Sequence, residues 1–436
     1  MAEPLLYLIL ADNFFDLVFA GYLILSGNKV RVVANQEEVE DWQGALLLDP
    51  FRSQMICGRL GLPLKKEKGP FTPDFQIISP KYRLDFFWDR HRRDFCFQRD
   101  LGPEAQKFSS VLDRLVKGGK EFEEKVREFP LISGRKNAEF LLRFFSRAKA
   151  LPEPGVRIKD LIRGSGISKE LSEILLAPLR IFSPHFQEDS PFFSSALLWR
   201  FLLSGEAGMA EGRESWSSFF EILNASKSLL IEEPVSLEVG GKKIIELRMR
   251  SGRKIRADLF FASPGTVLEL LNEKDRESRR AKALAEKFPR STVFTHFYEM
   301  KAEAWPEAMS ERVVWIPGRE EEPKEFLICA RPLTGATNLA AISYGRRKGE
   351  VKPLNEEDLL QNLAGLFPWL KGERMARKKE TRVFHQYLKL ESSRLFYPLI
   401  RTSFENLFLS PSELVPLMSF PGLFRLAERM AEEEKK

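Results

Sequence analysis

Apolar positions at the start of the chain come in two lengths. Residues 5–10 form a short unbroken apolar run, as a strand buried on both faces does. After the polar pair Asp12-Asn13, a second apolar run covers residues 14–26, enough for several turns of buried helix. Gly27-Asn28 supplies the residues that close a helix with a left-handed cap. Lys29–Ala34 then resumes a strand pattern. Strand, helix and strand at this spacing predict a right-handed crossover between parallel strands. Residues 5–25 are not read as a membrane span, because Asp12, Asn13 and Asp16 interrupt them and a charge at mid-bilayer is expensive. No basic residue precedes them, so they are not read as a signal peptide either.

Further along, short strands are expected at 75–78 and 83–88. Asp85, Asp89 and Asp94, mixed with Arg90, Arg92 and Arg93, read as a solvated loop. Residues 104–129 predict an amphipathic helix, with Phe108, Val111, Leu112, Leu115 and Phe122 near helical spacing. A second helix is expected at 138–150, either a core helix or an interfacial one that touches a membrane. Residues 152–155 read as a linker, and 168–203 as Phe-rich helix broken near Ser183-Pro184. Ile245, Leu247 and Met249 alternate with Glu246, Arg248 and Arg250 as a half-buried strand, and Gly240-Gly241 before it predicts a hairpin turn. Residues 272–288 read as a charged, solvated helix. Residues 293–298, 313–316 and 325–330 alternate like strands of one sheet. A helix at 354–367 and a basic run at 371–382 follow. No long-period repeat is present.

Composition narrows the class. A chain of 436 residues with 43% hydrophobic and 30% charged residues suits two or three folded domains. The net charge of +6 is spread along the chain among nearly as many acids, so it reads first as a solvated surface and second as a preference for anionic lipid or an acidic partner. No basic motif of a nucleic-acid-binding fold is present. Three scattered cysteines (Cys57, Cys96, Cys329) and four isolated histidines (His91, His185, His296, His385) form neither a disulfide framework nor a metal site, and fit a reducing compartment. Phenylalanine is over-used, at 36 residues, for core packing or for an apolar cavity or membrane-facing patch.

The chemistry expected of the first turn is altered. In a dinucleotide-binding crossover that turn carries three glycines. One permits the tight turn, one lets backbone approach the pyrophosphate, and one lets helix pack on strand. Here it reads Ala11-Asp12-Asn13-Phe14-Phe15-Asp16. Residues 27–33 (GNKVRVV) resemble the end of the corresponding helix in flavin-binding amine oxidases and phytoene-desaturase-like enzymes. With that family's spacing, the glycine positions fall on Ala11, Asn13 and Asp16, and the ribose-binding acid falls on Ala34. Asn13 puts a side chain where phosphate would lie. Asp12 and Asp16 put carboxylates at a helix N-terminus, where they suit the helix dipole by themselves. Ala34 has no acceptor for a ribose hydroxyl.

Three more stretches resemble the same family. Residues 206–223 are similar to the segment before a long helix, with Ala207-Gly208 for a glycine pair. Residues 232–265 are similar to its hairpin and return strand, with Ala257-Asp258 leading back to the nucleotide domain. Residues 405–433 resemble its C-terminal flavin motif. The strand is kept at 406–409, Ser410-Pro411 replaces a Gly-Asp pair, and Ser419-Phe420-Pro421-Gly422 replaces the glycine-rich approach to the flavin ring. A closing helix starts at Leu423.

The resemblance implies an α/β protein: a Rossmann-like FAD/NAD(P)-binding domain in three layers (ββα), with an inserted mixed-sheet plus helical domain of substrate type. The implied division is 1–101, 205–290 and 385–436 for the nucleotide-type domain, 102–204 for a helical insertion and 291–384 for the mixed sheet. Within the first part, 43–101 reads as an insertion near the substrate side. No P-loop, nucleophile elbow or paired histidines are present, so no catalytic or metal-binding residue is expected. Enzymes of this family leave the hard step to the flavin. With both sets of flavin contacts altered together, the chain reads as a degenerate member without a cofactor. It would be a pseudoenzyme that binds or stabilises an active relative, another protein subunit, or an apolar ligand such as a lipid or isoprenoid. Rab GDP-dissociation inhibitors, which share the fold and work without flavin, are a precedent of fold only. The alternative is an active FAD-dependent oxidoreductase or desaturase of an apolar substrate with an altered cofactor site. The expected setting is the cytoplasm, with peripheral membrane contact as a further option, and no nucleic acid is expected as a partner.

Overall fold

A computed structural model describes residues 5–11, 14–25, 27–34, 47–48, 73, 75–126, 156–182, 188–190, 192–203, 208–209, 223, 226–287, 291–301, 305–306, 309–310, 312–318, 323–332, 337–346, 353–366, 378–386 and 402–409. The helix expected at 138–150, the linker at 152–155 and the closing helix from Leu423 lie outside these residues.

Five parallel strands make the first sheet: β1 (Leu6–Leu10), β2 (Lys29–Ala34), β7 (Leu229–Ile231), β11 (Leu259–Ala262) and β17 (Leu407–Leu409). Their order is β17-β11-β1-β2-β7. Helix α1 (Phe14–Leu25) joins β1 to its neighbour β2, as the apolar runs predict. It ends where expected. Gly27 takes φ +85°, its N–H donates to the Ile24 carbonyl (2.9 Å), and the Asn28 N–H reaches back to Leu23 (3.0 Å). Those two bonds satisfy carbonyls that the last turn would otherwise leave open.

Both faces of this sheet are covered, which is why β1 reads as a continuous apolar run. Leu8, Leu10, Phe260, Ala262, Leu407 and Leu409 share a core with an antiparallel meander of β8 (Pro234–Gly240), β9 (Lys243–Met249) and β10 (Lys254–Ile255). Helices α7 (Pro264–Leu270) and α9 (Arg279–Lys287) join that core. On the other face, Phe19 of α1 packs on Phe261 with ring centroids 5.2 Å apart, and Phe261 stacks between Tyr7 and Phe408. Meander, parallel sheet and helix are the three layers of a Rossmann-like FAD/NAD(P)-binding domain.

Two local expectations change here. The alternation on β9 slips: Ile244, Leu247 and Met249 are buried, but Ile245 is exposed and Glu246 is buried. A bulge on β9 itself accounts for the slip: the consecutive residues Glu238 and Val239 of β8 pair with Glu246 and Ile244, so Ile245 is an extra residue, and one extra residue turns the side chains beyond it to the opposite face. The charged helix at 272–288 is two helices, α8 (Glu273–Arg276), capped by the Asn272 side chain, and α9.

The second sheet has seven strands: β4 (Phe75–Ile78), β5 (Arg83–Phe86), β12 (Ser291–Lys301), β13 (Arg312–Trp315), β14 (Phe326–Pro332), β15 (Thr337–Arg346) and β16 (Lys378–Gln386). Their order is β16-β12-β15-β14-β13-β4-β5, antiparallel except where β13 runs parallel to β4. The stretch 1–101 is therefore shared between the two sheets, and β16 takes up part of the basic run at 371–382. Phe294, Tyr298, Val313, Trp315, Ile328 and Tyr344 share a core with Leu359 and Leu363 of α10 (Glu356–Leu363). A short ribbon pairs β3 (Leu47–Leu48) with β6 (Gly208–Met209).

Helices cover the β4–β5 end of this sheet. Phe75, Ile77, Leu84, Phe86 and Val314 share one core with α2 (Arg90–Leu101), α3 (Ala105–Val126), α4 (Ile158–Ser165), α5 (Lys169–Phe182) and α6 (Phe192–Leu203). The run around Asp89 and Arg93 is thus not a solvated loop. Asp89 caps α2 by accepting the Arg92 N–H (2.8 Å), and Arg93, Cys96, Phe97 and Leu101 form its buried stripe. At α3, a Cβ on Gly119 would overlap the Ala196 carbonyl oxygen and stand 2.6 Å from the Arg200 Cβ, so the pair Gly118-Gly119 sets how closely α6 approaches. The helices are tied to the sheet by Arg180 of α5. Its guanidinium, mostly buried, pairs with Glu173 at 2.7 Å and with Glu325 just before β14. Among the described residues, no helix is long and apolar enough to cross a membrane.

Candidate functional site

Open parallel sheets bind ligands outside the carboxyl ends of their strands. In this chain that edge is built by Ala11, Ala34, Ile231, Ser263 and Leu409. Its position is fixed from the far end of β1. There, Asp258 accepts the Leu6 N–H (2.8 Å) and donates its own N–H to the Leu6 carbonyl (3.0 Å), so β1 and β11 start in register.

At the edge itself the first glycine position is Ala11, 2% exposed. Its amide is already engaged, donating to the Val33 carbonyl at 2.9 Å as an extension of the β1–β2 ladder. The third glycine position is Asp16, in the first turn of α1, with its side chain fully buried. Its carboxylate does not stand bare there, since it has a partner. A buried acid in that turn meets the positive end of the helix dipole, which a phosphate would otherwise meet. Ala34 closes β2. It is 2% exposed, and its carbonyl accepts the Glu232 N–H (3.0 Å). Its methyl group offers a ribose no hydrogen bond. Ser263, next along the edge, gives its hydroxyl to the cap of α7, where it accepts the Thr266 N–H (3.2 Å).

Three of the marked positions, Ala11, Asp16 and Ala34, are thus brought to one edge. Their side chains there are two methyl groups and a carboxylate. The remaining positions, Asn13, Ser410, Pro411, Phe420 and Gly422, lie outside the described residues, as does Asp12.

Candidate chemistry elsewhere is structural. His296 of β12 is buried and hydrogen-bonded to the Tyr344 hydroxyl (3.1 Å), which also accepts the Leu354 N–H at 2.6 Å. The Tyr298 hydroxyl is buried with no hydrogen-bond partner among the described residues, and burial pushes its pKa well above the usual phenol range. Burial likewise raises the Cys96 thiol. Among the described residues, no three His, Cys, Asp or Glu side chains gather as a metal site. One residue that the sequence leaves unmarked is Asn406 of the C-terminal motif, whose buried amide links β17 to the meander.

No protein-family model matches the chain, and no curated protein is similar to it in sequence. Solved structures do share its fold from end to end. An oxidoreductase from Methanosarcina mazei matches with a TM-score of 0.56 at 13% identity, over 98% of this chain and 100% of that one. Cyclohexylamine oxidase from Brevibacterium oxydans IH-35A gives 0.58 at 12% identity, over 100% of both chains. Putrescine oxidase bound to putrescine gives 0.56 at 12% identity, over 99% of both chains. At such identities the likeness is one of architecture, and in architecture the chain is built as these oxidoreductases are.

Proposed function

We propose that the chain is a pseudoenzyme on an oxidoreductase fold, which holds no FAD in the usual pose and acts by binding. The observation that carries this reading is the nucleotide edge. There a buried carboxylate stands at the third glycine position and a methyl group at the ribose-acid position. Strand, crossover, helix cap and meander are all in place around that edge, so the fold is kept where the contacts are altered. Its role is then to bind and stabilise an active relative, or to hold an apolar ligand such as a lipid or isoprenoid.

Purification under mild conditions tests this directly. The expected protein is colourless, and added FAD leaves its melting temperature unchanged, because a ligand that binds only the native state must raise it. A yellow preparation with a flavin spectrum would overturn the reading in favour of an active oxidoreductase. In that event the amines named for two of the oxidases of this fold are the first substrates to assay. Purification from the native host is expected to bring down a second protein or a bound lipid.

A further inference from the structure

We infer that the helical insertion carries a binding cleft of its own, shaped for an amphipathic oxyanion: an apolar chain ending in a carboxylate or phosphate. This goes beyond the reading above and does not depend on it. The cleft has a volume of about 690 Å³ and runs between α3 and α4. That size is in the range of sites for small organic ligands.

Its walls follow from helix geometry. On the α3 side the lining residues are Pro103, Gln106, Lys107, Ser110, Val111 and Arg114, at steps of three and four, so one stripe of the helix faces the cleft. Val111, Leu161 of α4 and Phe192 of α6 line it together and belong to one apolar core. All three are nearly buried, so they form an apolar floor. The rim is cationic. Lys107 and Arg114 are exposed, and seven residues of helix place them roughly 10 Å apart along its axis.

These two cations are available. Among the described residues, Lys107 makes one hydrogen bond, to the Gly166 carbonyl at 3.4 Å, and neither residue forms an ion pair. Among the described residues the one lining acid, Asp160, is engaged in capping α4, where it accepts the Arg157 N–H at 3.1 Å. An apolar floor beneath two unpaired cations suits a ligand with an apolar body and a negative end. A neutral lipid leaves the cations unused, and a small inorganic anion leaves the floor unused.

Gly164 of α4 also lines the cleft, and a Cβ built on it meets nothing within 4 Å. A large side chain at that position fills the cleft without disturbing the helix. The test is calorimetric titration of the full chain with dodecanoate and dodecyl phosphate, each below its critical micelle concentration, and with dodecanol below its solubility limit. Either anion is expected to bind at one site, and the tighter one identifies the head group. Gly164→Phe and the double variant Lys107→Gln/Arg114→Gln should each weaken anion binding at least about tenfold, an affinity change of about 1.4 kcal/mol. Circular dichroism checks that both variants are folded, and the double variant decides alone if Gly164→Phe is not. Absence of binding by either anion, equal affinity for dodecanol, or anion affinity unchanged in the folded variants overturns the inference.

Discussion

Asn406 and Ile244 exchange two hydrogen bonds: the Asn406 side-chain oxygen accepts the Ile244 N–H, and its amide donates to the Ile244 carbonyl, both at 2.8 Å. One buried side chain thereby completes the backbone of β9 and fastens the meander to β17. Replacing it with leucine strips partners from a buried N–H and a buried C=O. Asn406→Leu is expected to cost about 2–6 kcal/mol in urea unfolding, since each of the two unsatisfied groups costs on the order of 1–3 kcal/mol. Asn406→Asp keeps the acceptor but sets a carboxylate against the Ile244 carbonyl. It should destabilise more at neutral pH than in acid, where the carboxyl regains a donor.

Two glycines in helices carry opposite expectations. Gly119→Ala forces α3 away from the α6 backbone, and is expected to destabilise by about 1–3 kcal/mol, the usual range for overpacking. Gly164→Ala meets open space and should stabilise by up to about 1 kcal/mol through helix propensity alone. Thermal melts of the two variants with the same sign of shift would refute the close approach at Gly119.

Glu246 gives the meander a pH dependence. Its buried carboxylate is hydrogen-bonded by Lys254 (2.9 Å) and Arg248 (3.3 Å), and Arg256 lies 3.6 Å away. The Lys254 ammonium in particular holds its pKa below the ordinary value of 4.5. A depressed folded pKa means stability that is complete above the ordinary value and lost as pH falls through the lower one. Wild type is therefore expected to exceed Glu246→Gln in stability at neutral pH, with the gap closing in acid. Denaturant unfolding at a series of pH values measures that gap, and a constant gap would show that the charge contributes nothing.

Asp16 is expected to stabilise the first turn of α1. Asp16→Ala should lower stability by about 1–2 kcal/mol, the upper range for a charge at a buried helix terminus. An unchanged unfolding midpoint would mean that the carboxylate has no capping role.

What could be read in advance follows the physics of each element. The β1–α1–β2 crossover was legible because its signals are local: two apolar runs and a Gly-Asn cap. Helix α2 was not, because its buried stripe includes Arg93 and its exposed face carries Arg90, His91, Arg92 and Arg99, so charge hides the helical period. The slip that exposes Ile245 depends on a bulge at that residue, which is defined only by the pairing of β9 with β8. Asn406, expected as the first residue of its strand, stands in the turn just before β17, and its partner lies 162 residues away, beyond any pattern along the chain. At the nucleotide edge, sequence spacing found Ala11, Asp16 and Ala34. It did not show that the Ala11 amide is engaged or that Asp16 is buried.

The pairing of β4 with β13 sets a timetable for synthesis. Gln76, on β4, accepts the backbone N–H of Ser310, 234 residues later, just before β13 begins. At translation rates of about 5–20 residues per second, the β4–β5 hairpin waits roughly 10–50 s for that neighbour. Through that interval the open edge of β4 offers unpaired backbone groups to any other extended chain. Shielding of that one short strand while the ribosome is still working is therefore expected to raise the protein's yield in a cell.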